Sequence, residues 1–361
     1  MSAGKKRCAR CDTLPKIDPD STKLLLWPPL GHTLAKLKGA AQKVTTVEDI
    51  EDGIVIDLGD TKLTAVLDAL AAVSTRGESA DTNCLLTANE SQPTLDELGG
   101  VMSLRKLVAL KDADWLVDVL ASDRLDTFFQ PIVDAKTPTR PYAHECLLRW
   151  RDEANSWKAP LSLFETARDA DLLFQLDRRA REINIRNAAA RGVSSKIFLN
   201  FMPTAIYDPR NCLQATQAVI DEVGIEPCDV VFEVVETEKI EDSAHLKSIM
   251  DYYKSHGYGV ALDDLGSGYS TLQLLGELLP DYVKLDMELI RGVHQNRFKS
   301  ELVRRIIDLA HGFDIRVVAE GIEVQEEAAW LMSQEVDFMQ GYFFAKPAKD
   351  PVSRLDRRQK N

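Results

Sequence analysis

Residues 259–265 read Gly-Val-Ala-Leu-Asp-Asp-Leu, and residues 282–286 read Tyr-Val-Lys-Leu-Asp. Each is a short apolar run that carries charge at or near its C-terminal end. A strand covered by helices on both faces of a parallel sheet reads this way. Working outward, the same signature predicts strands over 127–133, 144–150, 196–202, 230–236, 259–265, 282–287, 316–323 and 338–344. Helix-period segments lie between them, among them 161–187, 243–256 and 299–311. Strands alternating with helices in this way imply an α/β fold, a TIM-like (β/α)8 barrel. A doubly wound open sheet is the alternative at this level.

The first 120 residues follow another pattern. Strands are predicted over 23–27, 43–47, 54–58 and 83–87, with helices over 30–41 and 62–73 and a turn at Glu51-Asp52-Gly53. The order βαββαβ fits a small ferredoxin-like α+β domain. Residues 76–83 and 88–99 read as polar loops, and 104–120 as one amphipathic helix. The expected organisation is a tail over 1–21, an α+β domain over 22–100, a connecting helix over 101–122, the barrel over 123–350 and a tail over 351–361.

Composition narrows the partners. The 361 residues hold 44 Lys plus Arg against 57 Asp plus Glu, a formal net charge of -13. Such an acidic chain is unsuited to gripping a nucleic-acid polymer by its backbone. No apolar run reaches membrane-spanning length, and the basic N-terminus is not followed by a signal-type apolar region. Six scattered cysteines do not make a disulfide framework, so a cytoplasmic location with reduced thiols is expected. Cys8-Ala-Arg-Cys11 has metal-ligand spacing, but a zinc site needs two more ligands, and His32 and Cys84 are the nearby candidates.

Polar residues recur on the predicted barrel strands: Glu145, Asn200, Glu233 with Glu236, Asp263 with Asp264, Lys284 with Asp286, Glu320 with Glu323, and Gln340. Charges within apolar strands are costly unless paired or bound to a metal. A surface carboxylate wrongly assigned to a strand could account for any one of these, but not for the set. Carboxylates and an amide, without His or Cys, suit Mg2+ or Mn2+ better than zinc. An adjacent pair such as Asp263-Asp264 can serve two ions, roughly 3.5–4 Å apart in two-metal phosphoesterases.

These motifs together resemble the EAL domain family, phosphodiesterases of the bacterial second messenger cyclic di-GMP. The resemblance covers about 123–347 and rests on several segments in order: Gln130-Pro131-Ile132-Val133, Glu145-Cys146-Leu147-Leu148-Arg149-Trp150, Leu199-Asn200-Phe201 and Glu233-Val234-Val235-Glu236. They continue as Asp263-Asp264-Leu265-Gly266-Ser267-Gly268, Lys284-Leu285-Asp286, Ala319-Glu320-Gly321-Ile322-Glu323 and Gln340-Gly341-Tyr342. The resemblance implies a barrel whose first strand runs against the others, and hydrolysis of cyclic di-GMP to linear pGpG. It implies that Glu145, Asn200, Glu233 and Asp263 hold one metal ion and that Asp263 and Asp264 hold the second. Glu320, Lys284 and Gln340 become the catalytic groups, with Glu320 or Lys284 handling the proton of the attacking water. Gln130, Arg149 and Glu323 would contact substrate, Glu236 would anchor a mobile loop, and Gly266 and Gly268 would let that loop bend.

Departures from the family pattern are few. Cys146 stands for Ala, Leu265 for Phe, Ser267 for Thr, Thr271 for Ser and Val235 for Thr. None removes a metal ligand, so an active enzyme is expected. A non-catalytic cyclic di-GMP receptor signalling to a protein partner is the alternative. The resemblance also implies a homodimer tuned by its N-terminal domain, whose signal the residues do not name.

Overall fold

In the computed structural model, Leu24 and Leu26 of strand β1 (Lys23–Trp27) are fully buried on one face of a sheet. The structure describes residue 17 and residues 21–59, 61–88, 95–206, 208–234, 243–265 and 271–355. Cys8 and Cys11, Glu236, Gly266 and Gly268 lie outside these described residues. The chain divides into two units, Met1–Ala121 with Leu161–Leu176, and Ser122–Pro160 with Asp177–Asn361.

In the first unit β2 (Val47–Ile50), β3 (Gly53–Asp57), β4 (Asn83–Thr87) and β5 (Met102–Ser103) join β1 in the order β2-β3-β1-β4-β5, every neighbour antiparallel. With helices Gly31–Ala41 and Leu63–Val73 as crossovers, the first four strands have the ferredoxin-like arrangement. Strand period places Leu24, Leu26, Ile54, Ile56 and Cys84 on one face, and helix period turns Leu37, Ala41, Val66, Leu67 and Leu70 toward them. Cys84 is therefore a core residue, its thiol pushed up to about 12 by burial.

Three local expectations are corrected here. β2 begins at Val47, not 43, because Val47 pairs with Ile56 across the Asp52-Gly53 turn, and its carboxylates sit on an exposed edge that hides the strand pattern. Gly53 is required there, since a Cβ would lie 2.4 Å from the Leu26 carbonyl oxygen. Residues 76–81 are a helix, not a loop, started by a capping box of Thr75 and Glu78, and Leu95–Leu98, within the other expected loop, is a short helix. The helix expected over 104–120 is two, Leu104–Asp112 and Asp114–Ala121. Residues 161–176 also belong to this unit, where Asp169 pairs with Arg105 at 3.0 Å and Asp171 with Lys106 at 2.7 Å.

The second unit is the barrel. Its strands are β6 (Leu125–Asp134), β7 (Pro141–Arg151), β9 (Lys196–Phe201), β10 (Val230–Val234), β11 (Gly259–Leu265), β12 (Tyr282–Leu285), β13 (Arg316–Ala319) and β14 (Phe338–Met339), with the short β8 (Trp157–Lys158) paired outside on β7. β6 pairs antiparallel with both β7 and β14, which closes the sheet, and the remaining barrel pairs are parallel. The barrel fold and its reversed first strand are as expected. β12, β13 and β14 end earlier than the sequence pattern suggests, so Asp286, Glu320, Glu323 and Gln340 stand just beyond strand ends. Among the described residues no helix is long and apolar enough to cross a membrane.

Inside the barrel an apolar layer takes one residue from each closing strand: Ile132, Ala143, Phe198, Val231, Ala261, Tyr282, Val318 and Phe338. Phe198 is fully buried and meets Tyr282 edge to face at 5.1 Å. Phe198→Ala is expected to cost about 3–5 kcal/mol through lost contacts and a cavity. The exposed Phe298, at 77%, is the control: Phe298→Ala is expected to change stability by less than about 0.5 kcal/mol. Urea unfolding followed by circular dichroism measures both.

Candidate active site

Residues two positions apart on a strand share a face. Two positions beyond Ala143, Phe198, Val231, Ala261, Tyr282, Val318 and Phe338 stand Glu145, Asn200, Glu233, Asp263, Lys284, Glu320 and Gln340. β6 runs the other way, so its contribution lies two positions before Ile132, at Gln130. Register agrees, with Gln130 opposite Glu145 and Asn200 opposite Glu233. The apolar layer is thus capped by a polar one, at the C-terminal end of the parallel strands.

Lys284 stands at the centre of that layer and is 1% exposed. Its Nζ lies 2.6 Å from Glu320 Oε1, 3.0 Å from Glu233 Oε1, 3.2 Å from Asp263 Oδ1 and 3.8 Å from Glu145 Oε1. Asn200 Nδ2 donates to Glu145 Oε1 at 3.3 Å, and Gln340 Nε2 donates to Glu145 Oε2 at 2.6 Å. The Asp264 N–H donates to Asp263 Oδ1 at 2.9 Å. Consecutive strand residues normally face opposite ways, but Asp264 has φ +56, which breaks the alternation. Asp263, Asp264 and Glu320 can then each bring one oxygen within 4.8 Å of the others.

Several carboxylates around one ammonium leave an excess of buried negative charge. Burial pushes the Glu233 carboxyl well above its usual range, against the pull of Lys284. Burial lifts Glu320 to about 8, again against Lys284, and burial with the Asp263 charge lifts Asp264 to about 6. Burial alone would lower Lys284, yet Asp263, Glu145, Glu233 and Glu320 hold it well above its ordinary value as an ammonium. Among the described residues, both Glu233 oxygens, Glu320 Oε1 and Gln340 Oε1 are buried without a hydrogen bond. Lys284 is within ion-pair distance of two of these oxygens, Glu233 Oε1 and Glu320 Oε1. Orphaned oxygens in a carboxylate and amide set fit a hard divalent cation.

Other expected site residues lie further out. Arg149 is four positions beyond Glu145, half-buried, with Nη1 donating to the Leu148 carbonyl at 2.8 Å and its guanidinium 5.6 Å from the Phe128 ring centre. The Gln130 amide donates to the Ala345 carbonyl at 3.5 Å. Glu323 is outside the Lys284 cluster, on an exposed rim, where Arg291 takes its carboxylate. Cys146 is buried, its thiol pushed well above the ordinary value by burial, so it packs as a small apolar group. Sequence reasoning missed Arg291 and the buried Glu327 beside it. Glu327 carries a capping signal, but Val324 stands where the usual Ser or Thr would announce it.

The sequence model of the EAL domain matches residues 113–347. The chain belongs to the EAL domain family. The cyclic di-GMP phosphodiesterase PdeR of Escherichia coli K12 is 28% identical over 267 residues, 73% of this chain and 38% of PdeR. The chain spans well under two thirds of the length of the curated relatives it matches. A standalone versatile EAL protein from Vibrio cholerae O395, solved in its c-di-GMP bound form, superposes with a TM-score of 0.59 and 34% identity, covering 65% of this chain and 96% of that one. An EAL domain protein from Listeria monocytogenes EGD-e gives 0.58 and 26%, covering 66% and 94%.

The charge excess of this EAL site has a consequence for stability. A carboxyl whose pKa is raised by folding stabilises the fold below its unfolded pKa, and that stability is lost as pH rises through the folded value. For Glu320 the loss runs through about 8. Burial holds His144 down at about 4, which acts in the opposite sense but is complete above about pH 7. In chelator, the melting temperature is therefore expected to fall between about pH 7 and pH 9, and to fall less in Glu320→Gln. Thermal unfolding across that range is the check; an unchanged slope in the variant overturns the assignment.

Proposed function

We propose that this chain hydrolyses one phosphodiester bond of cyclic di-GMP to give linear pGpG, with two Mg2+ or Mn2+ ions held by Glu145, Asn200, Glu233, Asp263 and Asp264. The observation that carries this reading is the set of Asp263, Asp264 and Glu320 oxygens converging beside Lys284, in a family whose relatives include a named cyclic di-GMP phosphodiesterase. When bound, such ions acidify a water and offset the charge of a phosphate.

The protein's own groups do the rest. Glu320, with an oxygen close to those of Asp263 and Asp264, is the group placed to take a proton from the attacking water. Lys284 keeps its charge and opposes negative charge gathering on the phosphate. Gln340 holds Glu145 in place through its 2.6 Å bond. Arg149 and Gln130, on the neighbouring strands β7 and β6, would receive a phosphate and orient it, and Glu323 would accept from a guanine edge. Glu236, Gly266 and Gly268 belong to the proposal as loop anchor and loop. It also includes a homodimer, tuning by the N-terminal unit, and a cytoplasmic location.

The test is product analysis on the full chain with Mg2+, with Mn2+ and with chelator. Metal-dependent pGpG is expected, and Glu145→Ala is expected to lower kcat by at least about 100-fold, since it removes a ligand and strands two amides. No product with either ion overturns the proposal; tight binding without turnover favours the receptor reading.

A further inference from the structure

Glu327 lies on the helix Gln325–Ser333, outside the cluster around Lys284, yet it is 3% exposed. A buried carboxylate is costly unless donors surround it. Three backbone N–H groups do so here. Gly292 donates to Glu327 Oε1 at 2.8 Å, and Glu323 and Val324 donate to Oε2 at 3.0 and 3.3 Å. Burial alone would raise this carboxyl, but the donated bonds outweigh it and hold it below the usual range.

The donors come from two different loops. Val324 and Glu323 belong to the loop after β13, which begins at Glu320; Gly292 belongs to the loop after β12, which begins just past Lys284. A helix cap needs the N–H at its own start. The bond from Gly292 goes beyond capping and joins the loops. Two other contacts cross the same seam: Arg291 pairs with Glu323, and Gly321, with φ +65, approaches Met287 so closely that a Cβ would lie 2.1 Å from that residue's Cβ. On the far side, Lys299 Nζ donates to the Glu288 and Arg291 carbonyls, which fixes the first loop to the helix Arg297–His311.

We propose that Glu327 is a positioning residue, a buried bridge that locks the loop carrying Glu320 and Glu323 against the loop that follows Lys284. Through it the Glu320 carboxylate keeps its place on Lys284. The kinetic consequence rests on the proposed hydrolysis of cyclic di-GMP; the bridge itself does not.

Glu327→Gln keeps the shape but replaces one accepting oxygen with an NH2 group that faces an N–H donor. Glu327→Asp, one methylene shorter, serves if the amide variant does not fold. Hydrogen exchange on the full chain is expected to speed up at Gly292, Glu323 and Val324 together. With Mn2+ and cyclic di-GMP, kcat is expected to fall about 10–100-fold, with KM changed by less than about threefold. Ile307→Val, a buried change on another helix, is the control for lost stability and is expected to leave kcat unchanged. Faster exchange at Glu323 and Val324 with Gly292 unchanged makes Glu327 a helix cap only and overturns the bridge. An unchanged kcat overturns the positioning role. Absence of turnover in the unmutated chain defeats the proposed hydrolysis, while exchange at Gly292 still decides the bridge.

Discussion

A single ammonium, that of Lys284, holds the centre of this molecule. It is buried in a barrel and has within 4 Å the carboxylates of Glu145, Glu233 and Asp263 from three other strands and of Glu320 just past β13. Without it, those carboxylates would repel one another in a space that water barely reaches. With it, they remain in excess, and burial, with the neighbouring carboxylates behind it, lifts Glu320 to about 8 and Asp264 to about 6. Among the described residues, one positive charge there faces several negative ones, and the donors present leave both Glu233 oxygens without a hydrogen bond. Such a centre is built for further positive charge, and the orphaned oxygens of Glu233 and Gln340 say where it is wanted.

Everything around that centre follows from the two-residue period of a strand. Seven strands repeat one step, an apolar residue and, two positions on, a polar one; the reversed β6 repeats it backwards. The apolar layer supplies the stability and the polar layer the chemistry, on the same strands. The site therefore stands directly on the core. At its rim the loops after β12, β13 and β14 are tied together. Ile322 donates to the Gln340 carbonyl at 3.1 Å, Gly341 packs where a Cβ would lie 2.1 Å from the Ile322 oxygen, and Glu327 bridges to Gly292.

How far the sequence was legible varies with burial. Strands over 196–201, 230–234 and 259–265 were readable because both their faces are covered, which leaves an apolar run. β2 was misplaced because Glu48 and Asp49 on a sheet edge look like loop. The helix Arg76–Asp81 was missed because it buries nothing, although Thr75 and Glu78 announce its start. Glu323 shows the limit for function. Its motif is as plain as that of Glu320, yet it sits on the rim with Arg291, a partner 32 positions away that periodicity could not name.

By itself the sequence determined the barrel, its reversed first strand by family likeness, the small α+β unit, and the polar residues that share the barrel mouth. Those depend on local patterns of burial and on motif spacing, which a chain carries in its residue order. Only the tertiary structure decided how the charges balance, that residues 161–176 join the first unit, and that Glu327 spans two loops. Each of these depends on groups far apart in the chain meeting at hydrogen-bond distance. The energy of such a meeting depends on distance and burial, and neither is defined until the chain has folded.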